Sequence, residues 1–312
     1  MRTVLATTSS FGSDLPDSCH YLHRHGFNLQ VNPLRRKLSE AELRQYLEEF
    51  RPVGLLAGLE EISAKTLSDA KSFLRVVSRV GAGMENVDAS AAELHGIKVF
   101  RAADSVSPAV VELAIGLIFA LARHVTWHDR LTRAGEWQKR QGILVTGKRV
   151  GVLGCGRIGS QLCLRMKALG CDVQGYDSFM DDAWFTHHGI YRAQTLDELY
   201  STSDILSIHV PLTDGTRNIL SVEAIAKIKT GALVVNTSRG ALVDEAALYE
   251  ALAAGKISGA ALDVFANEPY QGPLATLENV ILTPHIGSYA REVKQKMEME
   301  AIDNLLLGLG CH

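Results

Sequence analysis

Residues 149–159 read Arg-Val-Gly-Val-Leu-Gly-Cys-Gly-Arg-Ile-Gly, a short apolar run followed by three glycines at GxGxxG spacing. The run predicts a buried strand, and the glycines open a helix that Gly170 ends. Glycine permits the tight turn at Gly154, close backbone approach to a pyrophosphate at Gly156, and close packing of helix on strand at Gly159. The stretch therefore predicts the first βα unit of a doubly wound sheet that binds a dinucleotide.

The next predicted strand ends in Asp177, at the spacing where a carboxylate accepts hydrogen bonds from ribose hydroxyls. A carboxylate at this point would repel a 2'-phosphate, and residues 178–182 contain no Lys or Arg to neutralise one. We therefore expect NAD rather than NADP as the cofactor. A glycine-rich turn that binds nothing is the alternative, and the order of strand, glycines, helix and acid argues against it.

Short apolar runs alternate with helical patterns along the chain, which predicts parallel sheets covered by helices. Five strands are expected in the first hundred residues: Thr3–Ala6, Asn28–Val31, Gly54–Ala57, Leu74–Val80 and Lys98–Phe100. Six more are expected later: Arg149–Leu153, Asp172–Tyr176, Ile205–Ile208, Leu233–Val235, Ala260–Leu262 and Val280–Leu282. The fold class is therefore expected to be α/β, with two doubly wound parallel-sheet domains.

Three helices have clear signals in the sequence. Ser39 and Glu42 form a capping box before a helix that runs to about Phe50. The apolar stretch Pro108–Arg123 predicts a buried helix that joins the two domains. A last helix, Tyr289–Leu307, has no sheet of its own and is expected to pack on the first domain.

Composition argues against several classes of protein and site. The net charge of -3, with Lys and Arg spread along the chain, gives no basic patch for nucleic acid. The longest apolar run is about half of the roughly 20 residues that cross a bilayer, and the first residues are not a secretory signal. Five cysteines without a CxxC pair fit neither disulfides nor structural zinc, and His20, His23 and His25 have poor spacing for one metal ion. We expect a cytoplasmic protein without a metal.

Polar side chains follow the later strands at the edge where doubly wound sheets bind ligands. They are Asp177, His209, Arg239, Asp263 and His285. Reduction of a 2-keto acid needs a cation that holds the carboxylate and polarises the carbonyl, and a proton donor held in place. Arg239 can be the cation, His285 the donor, and Glu268 the group that orients His285. Asp263 could hold the nicotinamide amide.

Several segments together resemble the D-isomer-specific 2-hydroxyacid dehydrogenase family, especially its phosphoglycerate dehydrogenase-like branch. They are Val80–Asp88, Gly147–Gly159, Val234–Glu245, Ala261–Phe265 with Glu268 and Pro269, and Thr283–His285. The resemblance implies a flavodoxin-like substrate domain, residues 1–100 with 286–312. A Rossmann nucleotide-binding domain, residues 101–285, is inserted in it. The resemblance also implies a homodimer.

The resemblance also assigns roles to residues by position. Arg239, Glu268 and His285 match the family's catalytic residues. Cofactor contacts are implied at Ala82, Gly154, Gly156, Arg157, Ile158, Gly159, Asp177, Val210, Pro211, Thr237, Ser238, Asp263 and Gly287. Substrate contacts are implied at Arg79, Gly81, Ala82, Gly83 and Arg239. The expected reaction is reversible hydride transfer between NAD and C2 of a small 2-hydroxy or 2-keto acid.

The resemblance leaves the substrate open. Arg79 and Lys139 or Arg140 match positions that line a phosphate pocket, yet Ala57 and Gly58 stand where a further Arg is expected. Both 3-phosphoglycerate and a non-phosphorylated acid, such as glyoxylate or hydroxypyruvate, therefore fit. The alternative to an enzyme is a corepressor-like protein that senses NAD, against which we find no disordered tail or docking segment.

Overall fold

The computed structural model of the chain describes residues 1–12, 16–103 and 105–311, without the side chains of residues 16–19. The chain divides into two compact units, which we call the first unit, residues 1–107 with 288–312, and the second unit, residues 108–287. Ala102 still belongs to the first sheet, because its N–H donates to the Arg79 carbonyl at 2.9 Å. Cys155, Cys163, Cys171 and Cys311 are free thiols, and the side chain of Cys19 lies outside the described residues.

The first unit is built on one parallel sheet, and its elements are numbered along the chain. The strands are β1 Arg2–Ala6, β2 Phe27–Val31, β3 Gly54–Ala57, β4 Val76–Arg79 and β5 Lys98–Arg101. The helices are α1 Pro16–Arg24, α2 Glu40–Phe50, α3 Ala64–Ala70, α4 Ala89–Leu94 and the C-terminal α12 Arg291–Gly308. The strand order β2-β1-β3-β4-β5 is flavodoxin-like, so the five expected strands and the fold of this part are confirmed.

Two sequence signals explain how helices of the first unit are held. The Ser39 hydroxyl accepts the Glu42 N–H and the Glu42 carboxylate accepts the Ser39 N–H at 2.8 Å, which confirms the capping box. Helix α12 packs on β3, β4 and β5, as expected for a last helix without its own sheet. A methyl group at Gly54 would lie 2.8 Å from a Leu305 methyl, so glycine at this point of β3 lets α12 approach closely.

The second unit is built on a larger parallel sheet. The strands are β6 Arg149–Leu153, β7 Asp172–Tyr176, β8 Tyr191–Arg192, β9 Ile205–Ile208, β10 Ala232–Asn236, β11 Ile257–Leu262 and β12 Val280–Leu282. Their order is β12-β11-β10-β9-β6-β7-β8, and the direction of winding reverses between β6 and β9, as in a Rossmann sheet. The prediction of six strands was wrong by one. Strand β8 pairs only two residues at the sheet edge and has no apolar run to signal it.

Helices cover both faces of the second sheet. They are α5 Ser107–Ala122, α6 Val125–Arg133, α7 Arg157–Ala168, α8 Asp182–His188, α9 Leu196–Thr202, α10 Val222–Lys227 and α11 Glu245–Ala253, with 3-10 helices Gly240–Leu242 and Pro273–Thr276. One core joins the sheet to α5 and α7 and another joins it to α9, α10 and α11. Within the described residues no single helix has the length and apolar character of a membrane span. The helices α5 and α6 have that length and composition only when taken together, and the chain bends by 65° between them.

Candidate active site

The three glycines after β6 meet different surroundings. At Gly154, where φ is +91°, a β-carbon would lie 2.8 Å from the backbone of His209 and Val210. At Gly159 it would lie 1.8 Å from the Gly154 carbonyl oxygen. At Gly156, before the first turn of α7, it would meet no heavy atom of the described chain within 4 Å. The fold requires glycine at the first and third positions, and the open space at Gly156 suits a pyrophosphate at a helix N-terminus.

Asp177 connects the glycine turn to the end of β7. One carboxylate oxygen accepts the Cys155 N–H at 2.7 Å, and the other accepts the N–H groups of Phe179 and Met180 at 2.7 and 3.0 Å. Arg192 on β8 is a neighbour that the sequence analysis missed. Its guanidinium donates to the Asp177 carbonyl at 3.2 Å and pairs with Asp182 at 2.5 Å. The lack of cations in residues 178–182 was therefore an incomplete argument for NAD.

Asp263 follows β11 and is fully buried. Its carboxylate accepts hydrogen bonds from the Thr283 hydroxyl at 2.6 Å and from the N–H groups of Ile286 and Gly287, both at 2.8 Å. Burial raises the pKa of this carboxyl, although these hydrogen bonds oppose the shift. Its backbone carbonyl also accepts the His285 N–H at 2.9 Å. In this structure Asp263 thus fixes the segment that carries His285.

His285 and Glu268 form a hydrogen-bonded pair. The Nδ1 atom of the imidazole lies 2.9 Å from one Glu268 oxygen and 3.2 Å from the other. The Phe265 N–H donates to the same carboxylate at 3.1 Å. Both side chains are about 30% exposed, at 31% and 29%. Because a carboxylate accepts, Nδ1 carries a hydrogen and Nε2 is the atom left to exchange a proton with a ligand.

Arg239 lies in a turn after β10 whose conformation is fixed by hydrogen bonds with neighbouring residues. The Asn236 amide donates to the Arg239 carbonyl at 2.9 Å, and the guanidinium donates to the Ser238 carbonyl at 2.7 Å. A β-carbon at Gly240 would lie 1.8 Å from the carbonyl carbon of Phe265. This close backbone contact brings the Arg239 turn against the segment that leads to Glu268. The second unit therefore holds the expected Arg, Glu and His at one edge of its sheet.

Two buried polar atoms at the same edge have no hydrogen-bond partner among the described residues. They are Nδ1 of His209 and the hydroxyl of Thr237. The other His209 nitrogen lies 2.8 Å from the Ser207 hydroxyl, and burial lowers the pKa of His209 to about 4, so the ring is neutral. The Ser238 hydroxyl donates to the Val210 carbonyl at 2.6 Å. Unsatisfied buried groups are rare in proteins, so together with the space at Gly156 they fit a bound dinucleotide.

The expected substrate loop belongs to the first unit, at the carboxyl end of β4. Arg79 is buried and its guanidinium donates to the neighbouring Val80 carbonyl. Gly81 has φ +147°, and a β-carbon on it would lie 2.5 Å from that guanidinium. The Arg101 side chain donates to the Ala82 carbonyl at 3.2 Å. These contacts define the shape of the Gly81–Gly83 loop.

Residues 115–287 match the family described as D-isomer specific 2-hydroxyacid dehydrogenase, NAD binding domain. The D-3-phosphoglycerate dehydrogenase of Methanocaldococcus jannaschii is 44% identical over 71% of this chain and 43% of its own length. The hydroxypyruvate reductase of Thermotoga maritima is 35% identical over 88% of this chain and 89% of its own length. The chain spans about half the length of the curated phosphoglycerate dehydrogenases it matches.

Solved structures have the same fold. The TT0316 protein of Thermus thermophilus aligns with a TM-score of 0.88 and 33% identity, over 99% of this chain and 97% of its own. The D-lactate dehydrogenase of Escherichia coli aligns with a TM-score of 0.85 and 29% identity, over 99% and 98%. These alignments confirm the two parallel-sheet α/β fold. Since the family match spans more than half of its residues, the chain belongs to the D-isomer-specific 2-hydroxyacid dehydrogenase family.

Proposed function

We propose that this chain is an NAD-dependent D-2-hydroxyacid dehydrogenase that acts on a small 2-hydroxy or 2-keto acid. The observation that carries the proposal is the pair of His285 and Glu268, 2.9 Å apart, beside the Arg239 turn. A cation, a proton donor and a carboxylate that orients the donor are the groups that keto-acid reduction requires.

The residues proposed to hold NAD lie at the carboxyl edge of the second sheet. The turn Gly154–Gly159 would hold the pyrophosphate with backbone N–H groups at the start of α7. Asp177 would accept hydrogen bonds from the adenosine ribose, and the Thr237 hydroxyl would bond to the nicotinamide half. When bound, the nicotinamide donates or accepts the hydride.

The chain's own side chains would stabilise charge and move the proton. The Arg239 guanidinium pairs with the substrate carboxylate and stabilises negative charge that develops on the C2 oxygen. During reduction the C2 carbon gains a hydride, and His285 donates the Nε2 proton to the oxygen. During oxidation His285 takes that proton back. Glu268 holds the ring through Nδ1 and stabilises its positive charge.

We also propose a homodimer formed through the second unit, in the cytoplasm. Several large apolar side chains are exposed in one stretch of this unit. They are Phe119, Val125, Trp137, Ile143 and Leu144. Burial of such side chains against a second copy of the chain would be favourable. The four free thiols support a reducing compartment. Light scattering in solution tests the dimer.

Turnover tests the proposed activity. The purified chain is mixed with NADH and, in turn, glyoxylate, pyruvate, hydroxypyruvate and 3-phosphohydroxypyruvate, and NADH consumption is followed by absorbance. We expect consumption with at least one acid, with NADH more efficient than NADPH. Binding of NADH without turnover of any acid would instead support an NAD-sensing binding protein. Failure to bind NADH would contradict both.

A further inference from the structure

A cation that the proposed mechanism does not use lies beside the residue proposed to bind the adenosine ribose. Arg192 is on β8, where it pairs in register with Gly175 of β7, two residues before Asp177. Its guanidinium donates to the Asp177 carbonyl at 3.2 Å. The hydrogen bond to Asp182 raises the pKa of Arg192, and the charges of Asp182 and Asp177 add to the shift. Within the second unit, the guanidinium and the proposed ribose acceptor are therefore close neighbours.

Three contacts fix the position of the Arg192 guanidinium. One terminal nitrogen pairs with the Asp182 carboxylate at 2.5 Å, and the other donates to the Asp177 carbonyl. The guanidinium carbon also lies 5.5 Å from the centre of the Phe185 ring, within the range of a cation–π contact. Asp182 and Phe185 both belong to α8, and Phe185 is buried in the core of the second unit. Helix α8 therefore determines where Arg192 lies and which charge it meets.

The ion pair of Arg192 and Asp182 is accessible to a ligand. The side chains are 28% and 81% exposed, respectively. An exposed ion pair contributes little to stability, so the arginine can exchange its partner at small cost. A guanidinium matches the geometry of a phosphate as well as that of a carboxylate. In dinucleotide-binding sheets an arginine near the ribose carboxylate accommodates the 2'-phosphate of NADP. Arg192 has the chemistry for that role, but Asp182 already engages it.

We propose that Asp182 determines the preference for NAD over NADP by pairing with Arg192, which would otherwise bind the 2'-phosphate. This inference rests on the proposed function and deepens it at the cofactor site. Asp177 and Asp182 place two negative charges around the one positive charge of Arg192. A 2'-phosphate carries about -1.5 to -2 charges at pH 7, so this group of net negative charge repels it. Without the charge of Asp182, the guanidinium would be available for charge-assisted hydrogen bonds to the phosphate.

Titration of the full chain with NADH and with NADPH, followed by nicotinamide fluorescence, measures both Kd values without turnover. Asp182→Asn removes the charge and keeps the size of the side chain. We expect it to lower the Kd for NADPH by about 3- to 10-fold. The Kd for NADH should stay within about twofold, because Asp177 and the glycine turn are unchanged, and NADH binding shows that the variant is folded.

Asp181→Asn is the matched control, because it removes the same charge one residue earlier. The Asp181 carboxylate accepts the Trp184 N–H at 2.9 Å as the cap of α8, and asparagine caps helices equally well. This variant should leave both Kd values within about twofold of wild type, since an exposed charge without a partner at the site is screened by salt.

Arg192→Gln tests whether the gain in NADPH affinity depends on the guanidinium. In chains that carry this substitution, Asp182→Asn should improve NADPH binding by less than about twofold, because the group that would bind the phosphate is gone. The gain in the single variant Asp182→Asn should also decrease as the salt concentration rises, as expected for an exposed ionic contact.

Several outcomes overturn the inference in distinguishable ways. A wild type that binds NADPH as tightly as NADH has no preference for Asp182 to determine. An unchanged Kd for NADPH in Asp182→Asn, beside normal NADH binding, contradicts the role of Asp182 alone. A gain that Asp181→Asn shares, or that persists without Arg192, shows a general effect of charge. Failure of the wild type to bind NADH contradicts the proposed function, and the role of Asp182 falls with it.

Discussion

The backbone of His285 has φ +56°, a conformation that residues with a β-carbon rarely adopt. Such a conformation costs on the order of 1–3 kcal/mol and persists where the surroundings enforce it. Here Asp263 enforces it, because its carbonyl accepts the His285 N–H and its carboxylate accepts the next two N–H groups. The imidazole is therefore directed by the backbone as well as by Glu268, before any substrate arrives.

Replacement of His285 tests its role as the proton donor. We expect His285→Ala to reduce kcat by roughly 10²- to 10⁴-fold, because general acid catalysis is worth about that much. NADH affinity, measured by fluorescence titration, should stay within about twofold, since the glycine turn and Asp177 are unchanged. His187→Ala, at an exposed position on α8, is the control. Near-full activity in His285→Ala would exclude the assignment.

At the scale of elements, two glycines of the turn after β6 have different roles. One is required by the packing of the fold, and the other leaves space for a ligand. A β-carbon at Gly159 would clash with the Gly154 carbonyl oxygen, so any larger residue would push α7 away from β6. Gly156 has an extended backbone with φ -66°, so its φ does not require glycine, and a β-carbon there would meet open space. The chain alone gives no reason for glycine at the second position, so its use there points to a ligand.

A pair of alanine variants tests this difference. Gly156→Ala should unfold at nearly the wild-type temperature but lose NADH affinity by about tenfold or more, because the methyl group occupies the pyrophosphate position. Gly159→Ala should lower the melting temperature as well, since its methyl group clashes with backbone. Scanning calorimetry and NADH titration measure both effects. Equal changes of melting temperature and NADH affinity in the two variants would contradict the distinct roles assigned to these glycines.

The capping box of α2 gives a pH-dependent contribution to stability. Hydrogen bonds from the Arg36 guanidinium and the Ser39 backbone lower the pKa of Glu42 from its ordinary 4.5 to about 2. A lowered pKa in the folded chain stabilises it above pH 4.5, and this contribution is lost as the pH falls toward 2. Glu42→Gln should therefore lower the melting temperature at neutral pH by more than at acid pH. Glu49→Gln, exposed on the same helix, should show no such trend.

At the scale of the whole molecule, the first unit is assembled from both ends of the chain. Strands β1 to β5 precede the second unit in sequence, and α12 follows it. Leu305 on α12 is fully buried and contacts Gly54 on β3. The fold of the first unit therefore depends on residues separated by the entire second unit.

Truncation of Leu305 tests this dependence. We expect Leu305→Ala to destabilise the first unit by about 2–5 kcal/mol, the usual cost of a cavity in a core. The NADH-binding second unit should be affected much less. Denaturant unfolding, followed with and without NADH, separates the two. Leu307→Ala, half-exposed on the same helix, is the control. Equal loss in both units would contradict the division of the chain proposed from these contacts.

The sequence by itself determined the features that depend on neighbours along the chain. Apolar runs marked every strand except β8, glycine spacing marked the turn after β6, and Ser39 with Glu42 marked the start of α2. The order of Arg239, Glu268 and His285, together with the family resemblance, predicted the chemistry. The strand, turn and cap signals each lie within a few residues, where local geometry limits the backbone to few choices.

Only the tertiary structure decided which distant residues meet. It placed the Arg192 guanidinium within hydrogen-bond distance of the Asp177 carbonyl. It also placed the Asp263 carboxylate where it accepts a hydrogen bond from the segment that carries His285. It also left one oxygen of Glu60 buried and without a donor in the described chain. No local pattern encodes these relations, because they arise when loops from separate parallel strands converge at one edge of a sheet.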